Sequence, residues 1–340
     1  MHFALYPRSR WGLLRMLLLL SVLPVLFLAI WLFTVKMPGR PFAGPLPPLT
    51  PTQQDLLGRL ERHVARLATE IGERSDRTYP ALNQAADYID GVFRSLGYGV
   101  TAQEFTAHGR TYRNLEAILP GTRRRNEVVV VGGHYDTAVE APGADDNASG
   151  VAGVLELARM LAGTHPARTI RFVAFANEEP PNFPTATMGS RHYADAAVAR
   201  ADRIVAMISV ESIGYYATEP GTQRYPFPLN LAYPDRGDFI GFVGNLKSRA
   251  LVRQAITLFR AHAAFPSQGA AAPSWVPGVW WSDHWSFWRV GYPAIMITNT
   301  AVYRNPFYHT PLDQTRTLDY PRMARVVDGI AAVVRGLASD

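Results

Sequence analysis

The chain has 340 residues, of which 48% are hydrophobic and 18% charged, so it can form a large core and is not disordered throughout. It contains no cysteine, which excludes a thiolate nucleophile, a cysteine zinc site and disulfides. The net charge is +6, of which residues 1–36 hold four charges, so the remaining +2 and the lack of a dense basic stripe argue against nucleic-acid binding.

The first 52 residues predict a membrane anchor followed by a linker. Residues 1–15 form a short basic segment, and residues 16–35 carry no charge, which suits a transmembrane signal anchor of about 30 Å. The preceding arginines place the N-terminus in the cytoplasm and the bulk of the chain in the periplasm or outside the cell. A cleaved signal peptide is the alternative, but the apolar run is long and Val35-Lys36-Met37-Pro38 is a poor cleavage site. Residues 36–52 are rich in proline and predict a stiff, extended, hydrated linker.

Residues 53–340 alternate between buried strands and helices and form the predicted catalytic domain. The pattern predicts helices over 53–71, 81–96, 150–161, 246–263 and 320–337, and strands over 100–106, 112–119, 127–132, 169–176, 204–210 and 294–298. The basic run Arg123-Arg124-Arg125 is interpreted as a solvated turn before a strand. This order predicts an α/β fold with three layers, α/β/α, and a mostly parallel mixed sheet, in which ligands bind at the carboxyl ends of the strands.

Five short patches carry most of the candidate chemistry. They are His134-Tyr135-Asp136, Asp145-Asp146-Asn147, Glu178-Glu179, Glu211 and His309. Three of the patches follow or end predicted buried strands, so they meet at one edge of the sheet. Imidazole nitrogens and carboxylate oxygens suit Zn²⁺, and a two-metal site also needs a bridging carboxylate and a base. The pattern therefore predicts a metal-dependent hydrolase.

Each patch has a structural alternative when taken alone. A single His134 after a strand is often only hydrogen-bonded, although Asp136 nearby is the partner that metal-bound imidazoles usually have. The Asp145-Asp146-Asn147 segment could cap the next helix, but adjacent carboxylates repel unless a cation lies between them. Glu178 and Glu179 could lie in a solvated loop, or could supply one metal ligand and one general base.

The remaining candidates depend on their surroundings. Glu211 lies in an apolar run, where a charge is costly unless it is paired or bound to metal. His309 is uninformative alone, and Asn147-Ala148-Ser149 is treated as a chance glycosylation sequon. Three residues near the last motifs are candidates for substrate binding: Asp283, His284 and Tyr303. Aromatic residues are dense there, and they line an apolar side-chain pocket or belong to the core: Trp280, Trp281, Trp285, Trp288, Tyr303 and Phe307.

The ordered set of motifs resembles a known family. The segments GGHYDT, PGADDNASG, FANEE, SVESIGYY, SDHWSFWRVGYPA and YHTPLDQ look like those of the zinc exopeptidases of metallopeptidase family 28, the co-catalytic aminopeptidases. The resemblance covers roughly residues 53–340. It implies a phosphorylase/hydrolase-like fold with two zinc ions and with these metal ligands: His134, Asp146, Glu179, Glu211 and His309.

The resemblance also implies a role for each residue. Asp146 would bridge both ions, Glu178 would be the general base, and Asp136 would orient His134. One residue departs from the family pattern, because the position of Glu211 is commonly Asp in the aminopeptidases.

The sequence therefore predicts a membrane-anchored zinc aminopeptidase that acts on peptide substrates. A glutaminyl-peptide cyclase is one alternative, since those enzymes resemble this fold and use one zinc. A non-catalytic binding domain is the other, although such a domain has no use for Glu178. The sequence does not indicate side-chain specificity or oligomeric state.

Overall fold

The computed structural model describes residues 9–339. Its helices are α1 (Arg10–Thr34), α2 (Pro51–Val64), α3 (Tyr79–Ser95), α4 (Gly150–Leu161), α5 (Gly189–Ala199), α6 (Arg249–His262), α7 (His284–Arg289) and α8 (Tyr320–Ala338). Its strands are β1 (Val100–Ala107), β2 (Arg110–Leu119), β3 (Arg124–His134), β4 (Arg168–Phe175), β5 (Arg203–Glu211), β6 (Ile240–Asn245), β7 (Ser267–Ala272) and β8 (Ala294–Thr298).

The eight strands form one mixed sheet in the order β1-β2-β4-β3-β5-β8-β6-β7. The four central strands β4, β3, β5 and β8 are parallel, so their carboxyl ends lie along one edge. Side chains alternate between the two faces of each buried strand, and helices cover both faces. Val129 and Val131 of β3 pack in the core that contains α4, α6 and α8, whereas Val128 and Val130 face α5 and α7. The predicted α/β fold with a mostly parallel sheet is confirmed.

Four elements do not appear in the sequence prediction: α5, β6, α7 and β7. The strands β6 (IGFVGN) and β7 (SQGAAA) are rich in glycine and alanine, which have low strand propensity. The helix predicted over 53–71 is also interrupted, because regular α-helix ends at Val64 and a wider π-type turn follows over Ala65–Ile71. The turn predicted at Arg123–Arg125 already contains the start of β3 at Arg124.

The N-terminal region contains one apolar helix and an irregular segment. Helix α1 has 25 residues, none of them buried, and it is long and apolar enough to cross a membrane. Residues 1–8, which include most of the predicted basic segment, lie outside the described residues. The proline-rich segment that follows α1 lies against the domain instead of extending freely. Met37 and Leu46 pack on the core, and Arg260 Nη1 donates to the Pro38 carbonyl at 2.7 Å.

Candidate active site

The predicted site residues meet at the carboxyl edge of the central strands. His134 is the last residue of β3, Glu211 is the last of β5, and Glu178 and Glu179 follow the end of β4. Asp146 comes from the turn before α4, and His309 comes from the loop between β8 and α8. All of these except His309 are buried. Parallel strand direction therefore gathers residues from distant parts of the sequence.

The Asp146 carboxylate lies between the two imidazoles. Its Oδ1 is 3.2 Å from His134 Nε2, and its Oδ2 is 3.0 Å from His309 Nε2. Each imidazole also faces one further carboxylate: His134 Nε2 is 3.2 Å from Glu211 Oε2, and His309 Nε2 is 3.1 Å from Glu179 Oε2. The result is two adjacent groups of one imidazole and two carboxylates that share Asp146.

Asp136 fixes the backbone that carries Glu178 and Glu179. Its Oδ1 accepts the Glu178 N–H at 3.0 Å, and its Oδ2 accepts the Glu179 N–H at 2.9 Å. Asp136 Oδ1 also lies 3.5 Å from His134 Nδ1, on the side of the ring opposite to Asp146. A single buried carboxylate thus positions residues from two strands. The resemblance implied that Asp136 orients His134, which stays a prediction, and the contact of Asp136 with the 178–179 backbone was not anticipated.

Glu211 is held in place by two hydroxyl groups. Ser282 Oγ donates to Glu211 Oε2 at 2.8 Å, and Ser212 Oγ donates to Glu211 Oε1 at 2.9 Å. The longer carboxylate at this position is therefore well oriented. The segment 282–284 contacts the predicted ligands through Ser282, which the sequence analysis did not single out.

The adjacent carboxylates of Asp145 and Asp146 point in different directions. The Asp145 carboxylate accepts hydrogen bonds from the backbone N–H of Gly214 at 2.8 Å and from the side-chain amides of Asn299 and Asn305, each at 2.9 Å. The expectation that a cation must lie between the two carboxylates is therefore wrong, because only Asp146 faces the imidazoles. Asp145 instead ties the turn to the loops after β5 and β8.

Asn147 has a purely structural environment. Its Oδ1 accepts the backbone N–H groups of Gly150 and Ser212, both at 3.0 Å, and its Nδ2 donates to the Val210 carbonyl. The contact with the Gly150 N–H is the helix cap that was considered for this segment, and the side-chain carbonyl of Asn147 provides it. Because Asn147 is fully buried, the sequon is not an accessible glycosylation site.

Two further buried residues position the site and escaped the sequence analysis. Asp313 accepts the backbone N–H groups of Asp145 and Asp146 at 3.0 and 3.1 Å, which orients the turn that presents Asp146. Arg74 is fully buried, and its guanidinium donates to backbone carbonyls on both sides of the turn, including those of Tyr135 and Gly143. No local pattern marks either residue, since the site backbone that each one binds is more than 60 residues away. Asp313 does lie within YHTPLDQ, so that motif is the one available signal.

Burial and charge crowding shift the ionisation of the site. Burial opposes a charge on the rings, yet the carboxylates of Glu211 and Glu178 raise the pKa of His134 well above its ordinary value. Asp146 and Glu179 likewise outweigh burial and raise the pKa of His309 to about 11. Burial, reinforced by Glu179 and Glu211, raises the pKa of Glu178 well above its usual range. The site thus brings several carboxylates close together, and nearby cations would stabilise their charged forms.

The donor set fits metal ions at these two places. Ligand atoms bound to tetrahedral zinc at about 2.0–2.1 Å lie about 3.3 Å apart, close to the 3.0–3.2 Å seen around His134 and His309. Ligand atoms of His134, Asp146 and Glu179 all lie within 4.8 Å of one another. Among the described residues, the buried Glu179 Oε1 has no hydrogen-bond partner, and Asp146 Oδ1 and His309 Nε2 lie 3.0–3.2 Å from their neighbours without the geometry of a hydrogen bond. Unpaired buried ligand atoms of this kind are what metal coordination satisfies.

An apolar cavity adjoins the site. The residues that line it include Glu211 and Tyr308, together with Trp281, Tyr303 and Met296. Trp281 and Tyr303 stack with their ring centroids 6.5 Å apart. Four of the six aromatic residues named in the sequence analysis are not among the lining residues: Trp280, Trp285, Trp288 and Phe307. Trp280 stacks on Phe183, and Trp288 donates to the Ala294 carbonyl.

The structure separates the three residues that were expected to contact substrate. Tyr303 lines the cavity, whereas Asp283 and His284 are completely buried and are not among its lining residues. His284 Nε2 is bonded to the Val279 carbonyl at 2.8 Å, and burial lowers the pKa of this ring to about 4. Both carboxylate oxygens of Asp283 lack a hydrogen-bond partner among the described residues.

Comparison with known proteins identifies the family. A sequence profile of peptidase family M28 matches residues 114–334. The chain belongs to peptidase family M28. This confirms the metallopeptidase assignment made from the motifs.

Individual relatives differ in how much of the chain they match. The chain is 41% identical over 285 residues to the uncharacterized protein YfbL of Escherichia coli (strain K12), which covers 81% of this chain and 87% of that protein. It is 40% identical over 122 residues to aminopeptidase YwaD of Bacillus subtilis (strain 168), over 33% of this chain and 25% of that protein. The solved structure of BSAP, a zinc aminopeptidase from Bacillus subtilis, superimposes with a TM-score of 0.66 at 15% identity, covering 84% and 95% of the two chains. The last comparison supports the M28 fold.

Proposed function

We propose that this protein is a membrane-anchored zinc aminopeptidase that uses two zinc ions. The observation that carries the proposal is the Asp146 carboxylate, which places one oxygen beside each of two imidazoles. One ion would be held by His134, Asp146 and Glu211, and the other by Asp146, Glu179 and His309. When bound, the zinc ions would supply Lewis-acid polarisation and would lower the pKa of a bound water.

Glu178 has the position and environment of a general base. Its Oε2 lies 3.9 Å from His134 Nε2, and its side chain is 11% exposed, so it faces the groups of the site and remains open to a substrate. Asp136 holds its backbone in place. Glu178 would take a proton from the attacking water and give it to the amine that leaves when the peptide bond breaks.

The surroundings of the site favour a peptide amino terminus over a carboxyl terminus. Among the described residues that line the adjoining cavity there is no Arg, Lys or His that could receive a substrate carboxylate. A substrate carboxylate would therefore be left without a charged partner in the cavity. The cavity would accept an apolar N-terminal side chain against Trp281 and Tyr303. Asp283 and His284 would then act from behind the cavity wall, through the Ser282 segment, and not by contact with substrate.

Helix α1 would remain as the anchor. Its 25 residues give about 37 Å of helix, more than the roughly 30 Å needed to cross a bilayer core. The N-terminus would lie in the cytoplasm, and the catalytic domain would lie in the periplasm or outside the cell.

The test uses the full chain in detergent with peptides that begin with leucine and carry a free or an acetylated N-terminus. Zinc-dependent release of leucine from the free peptide alone is expected. Glu178→Gln should lower kcat by at least about 100-fold while the zinc content stays at two per chain, because it removes the base and no ligand. Glu104→Gln, at an exposed position on β1, is the matched control.

Three results would contradict the proposal. One bound zinc with cyclisation of N-terminal glutamine would indicate a glutaminyl-peptide cyclase. Cleavage of the acetylated peptide would show that a free amino group is not required. Near-normal turnover by Glu178→Gln would remove Glu178 as the base.

A further inference from the structure

The edge of the sheet opposite the active site is unusually basic. Three of the parallel central strands begin there with an arginine: Arg124 of β3, Arg168 of β4 and Arg203 of β5. The strand register places Arg124 beside Arg168 and Arg203 beside Glu127. Glu127 is 2.6 Å from Arg168, 3.4 Å from Arg203 and 3.7 Å from Arg124, so one carboxylate is shared by three guanidinium groups.

The same edge contains an open groove with a basic lining. The groove is lined by residues 122–127 and Arg203, and it includes all of Arg123-Arg124-Arg125. Arg203 is 71% exposed at its side chain, and Arg125 is exposed. This accounts for the three-arginine run as part of a larger charged surface and not only as a solvated turn.

The end of α1 reaches this edge. Strand β6 is antiparallel to β8, with Gly244 opposite Ile295, so the residues after β6 lie where the parallel strands begin. Arg249, the first residue of α6, donates from Nε to the Phe33 carbonyl at 2.6 Å, and its guanidinium lies 4.2 Å from the Phe33 ring centroid. The last turn of α1 is therefore attached to the basic edge and not to the active-site edge.

Exposed apolar side chains accompany these charges. Asn245 of β6 pairs with Ala272 of β7, and both strands end at the basic edge. Leu246, directly after β6, is 42% exposed, and Trp275, three residues past β7, is 78% exposed. Lys247 between them is also exposed. Tryptophan and lysine beside a membrane helix are typical of the bilayer interface.

We propose that this basic edge, defined by residues 122–127, Arg203, Lys247 and Trp275, docks on the anionic phospholipid surface of the bilayer that α1 spans. The inference rests on the proposed anchor. Lys and Arg side chains near an anionic surface are attracted to it. Docking would hold the catalytic edge one strand length away, about 36 Å for the 11 residues of β3, so the active site would face soluble peptides.

The absence of cysteine makes a direct test practical. The full chain is reconstituted in lipid nanodiscs of phosphatidylcholine alone or mixed with phosphatidylglycerol. A fluorescent label is attached through Asn126→Cys in the groove or, as a control, through Gln314→Cys on the active-site side. Quenching by a lipid with a headgroup nitroxide reports proximity to the bilayer surface. The groove label is expected to be quenched more strongly than the active-site label, and this difference should grow with phosphatidylglycerol and shrink with salt.

Charge variants test the cause of docking. Arg125→Gln with Arg203→Gln should lower the docked-to-undocked ratio about 30-fold, from two contributions of about 1 kcal/mol each. The double Arg→Glu variant should lower it further, and Arg316→Glu at the opposite edge should leave it unchanged. Equal quenching at both labels in both lipids, or equal effects of all three variants, would overturn the docking proposal while the anchor stands. Loss of the chain from the nanodiscs would overturn the anchor and the docking together.

Discussion

Arg74 is predicted to hold the active-site loops together, and its removal should destabilise the whole domain. The guanidinium donates at 2.7–3.0 Å to five backbone carbonyls: Leu67, Gly72, Tyr135, Pro142 and Gly143. These carbonyls join the π-type turn after α2 to the loops around Asp136 and before Asp146. Burial lowers the pKa of Arg74 to about 10, so the group is still charged at neutral pH.

The magnitude follows from the contacts. Five hydrogen bonds from a charged donor contribute about 1.5–3 kcal/mol each, or roughly 7–15 kcal/mol before other costs are counted. Removing the guanidinium also relieves the cost of burying a charge, which is several kcal/mol, so Arg74→Met should lower the free energy of unfolding by about 3–5 kcal/mol. Arg74→Lys keeps the charge but offers three donors for five carbonyls, so an intermediate loss is expected.

Urea unfolding of the full chain in detergent measures these changes. Arg66→Met is the control, because Arg66 lies on the π-type turn after α2 and is 43% exposed. It pairs with Glu70 and lies 5.8 Å from the centroid of the Tyr88 ring, so its loss should stay within about 1 kcal/mol. A loss below about 1 kcal/mol for Arg74→Met would refute the reasoning, since it falls under the value for a single charged hydrogen bond. Equal losses for both Met variants would refute it as well.

Two further predictions concern the site and the cavity. Asp136→Asn removes one of the two acceptors for the Glu178 and Glu179 N–H groups, so kcat/KM for a leucine peptide should fall about 10–100-fold. Asp195→Asn, at an exposed position, is the control and should leave kcat/KM unchanged. An unchanged kcat/KM for Asp136→Asn would contradict the positioning role. Ala270→Phe places a ring in the apolar cavity and should lower kcat/KM for leucine peptides at least about tenfold relative to alanine peptides. Equal losses for both peptides would contradict the cavity as the side-chain pocket.

The sequence predicted those parts of the structure that depend on local pattern. Apolar runs that end in His134, Glu178 or Glu211 predict both a parallel sheet and the edge at which the residues meet, because strand direction determines both. The direction in which a side chain points within a turn, by contrast, does not follow from the local sequence pattern. Asp145 and Asp146 are identical residues at adjacent positions. The carboxylate of Asp145 is turned from the imidazoles by partners that are distant in the sequence, namely the Gly214 N–H and the amides of Asn299 and Asn305.

Long-range contacts also explain the elements that were missed. Strand β7 consists largely of glycine and alanine and forms because β6 offers a paired edge, with Ile240 opposite Ser267 and Asn245 opposite Ala272. Arg74 has no local marker, since its partners are carbonyl oxygens that every residue possesses. Such positions become visible only when the fold has assembled the backbone around them.

The polarity of the parallel strands links the two surfaces of this protein. Strands β3 and β5 each begin with arginine and end with a candidate metal ligand, and β4 begins with arginine and leads into Glu178 and Glu179. Because the strands share one direction, a charge pattern repeated along the sequence becomes a separation of charge across the domain. The acidic strand ends predict a site because carboxylates that meet an imidazole at the carboxyl edge of a sheet can bind metal ions. The arginine starts follow from the same topology, which gives the sheet one edge with the candidate metal ligands and an opposite edge that is basic.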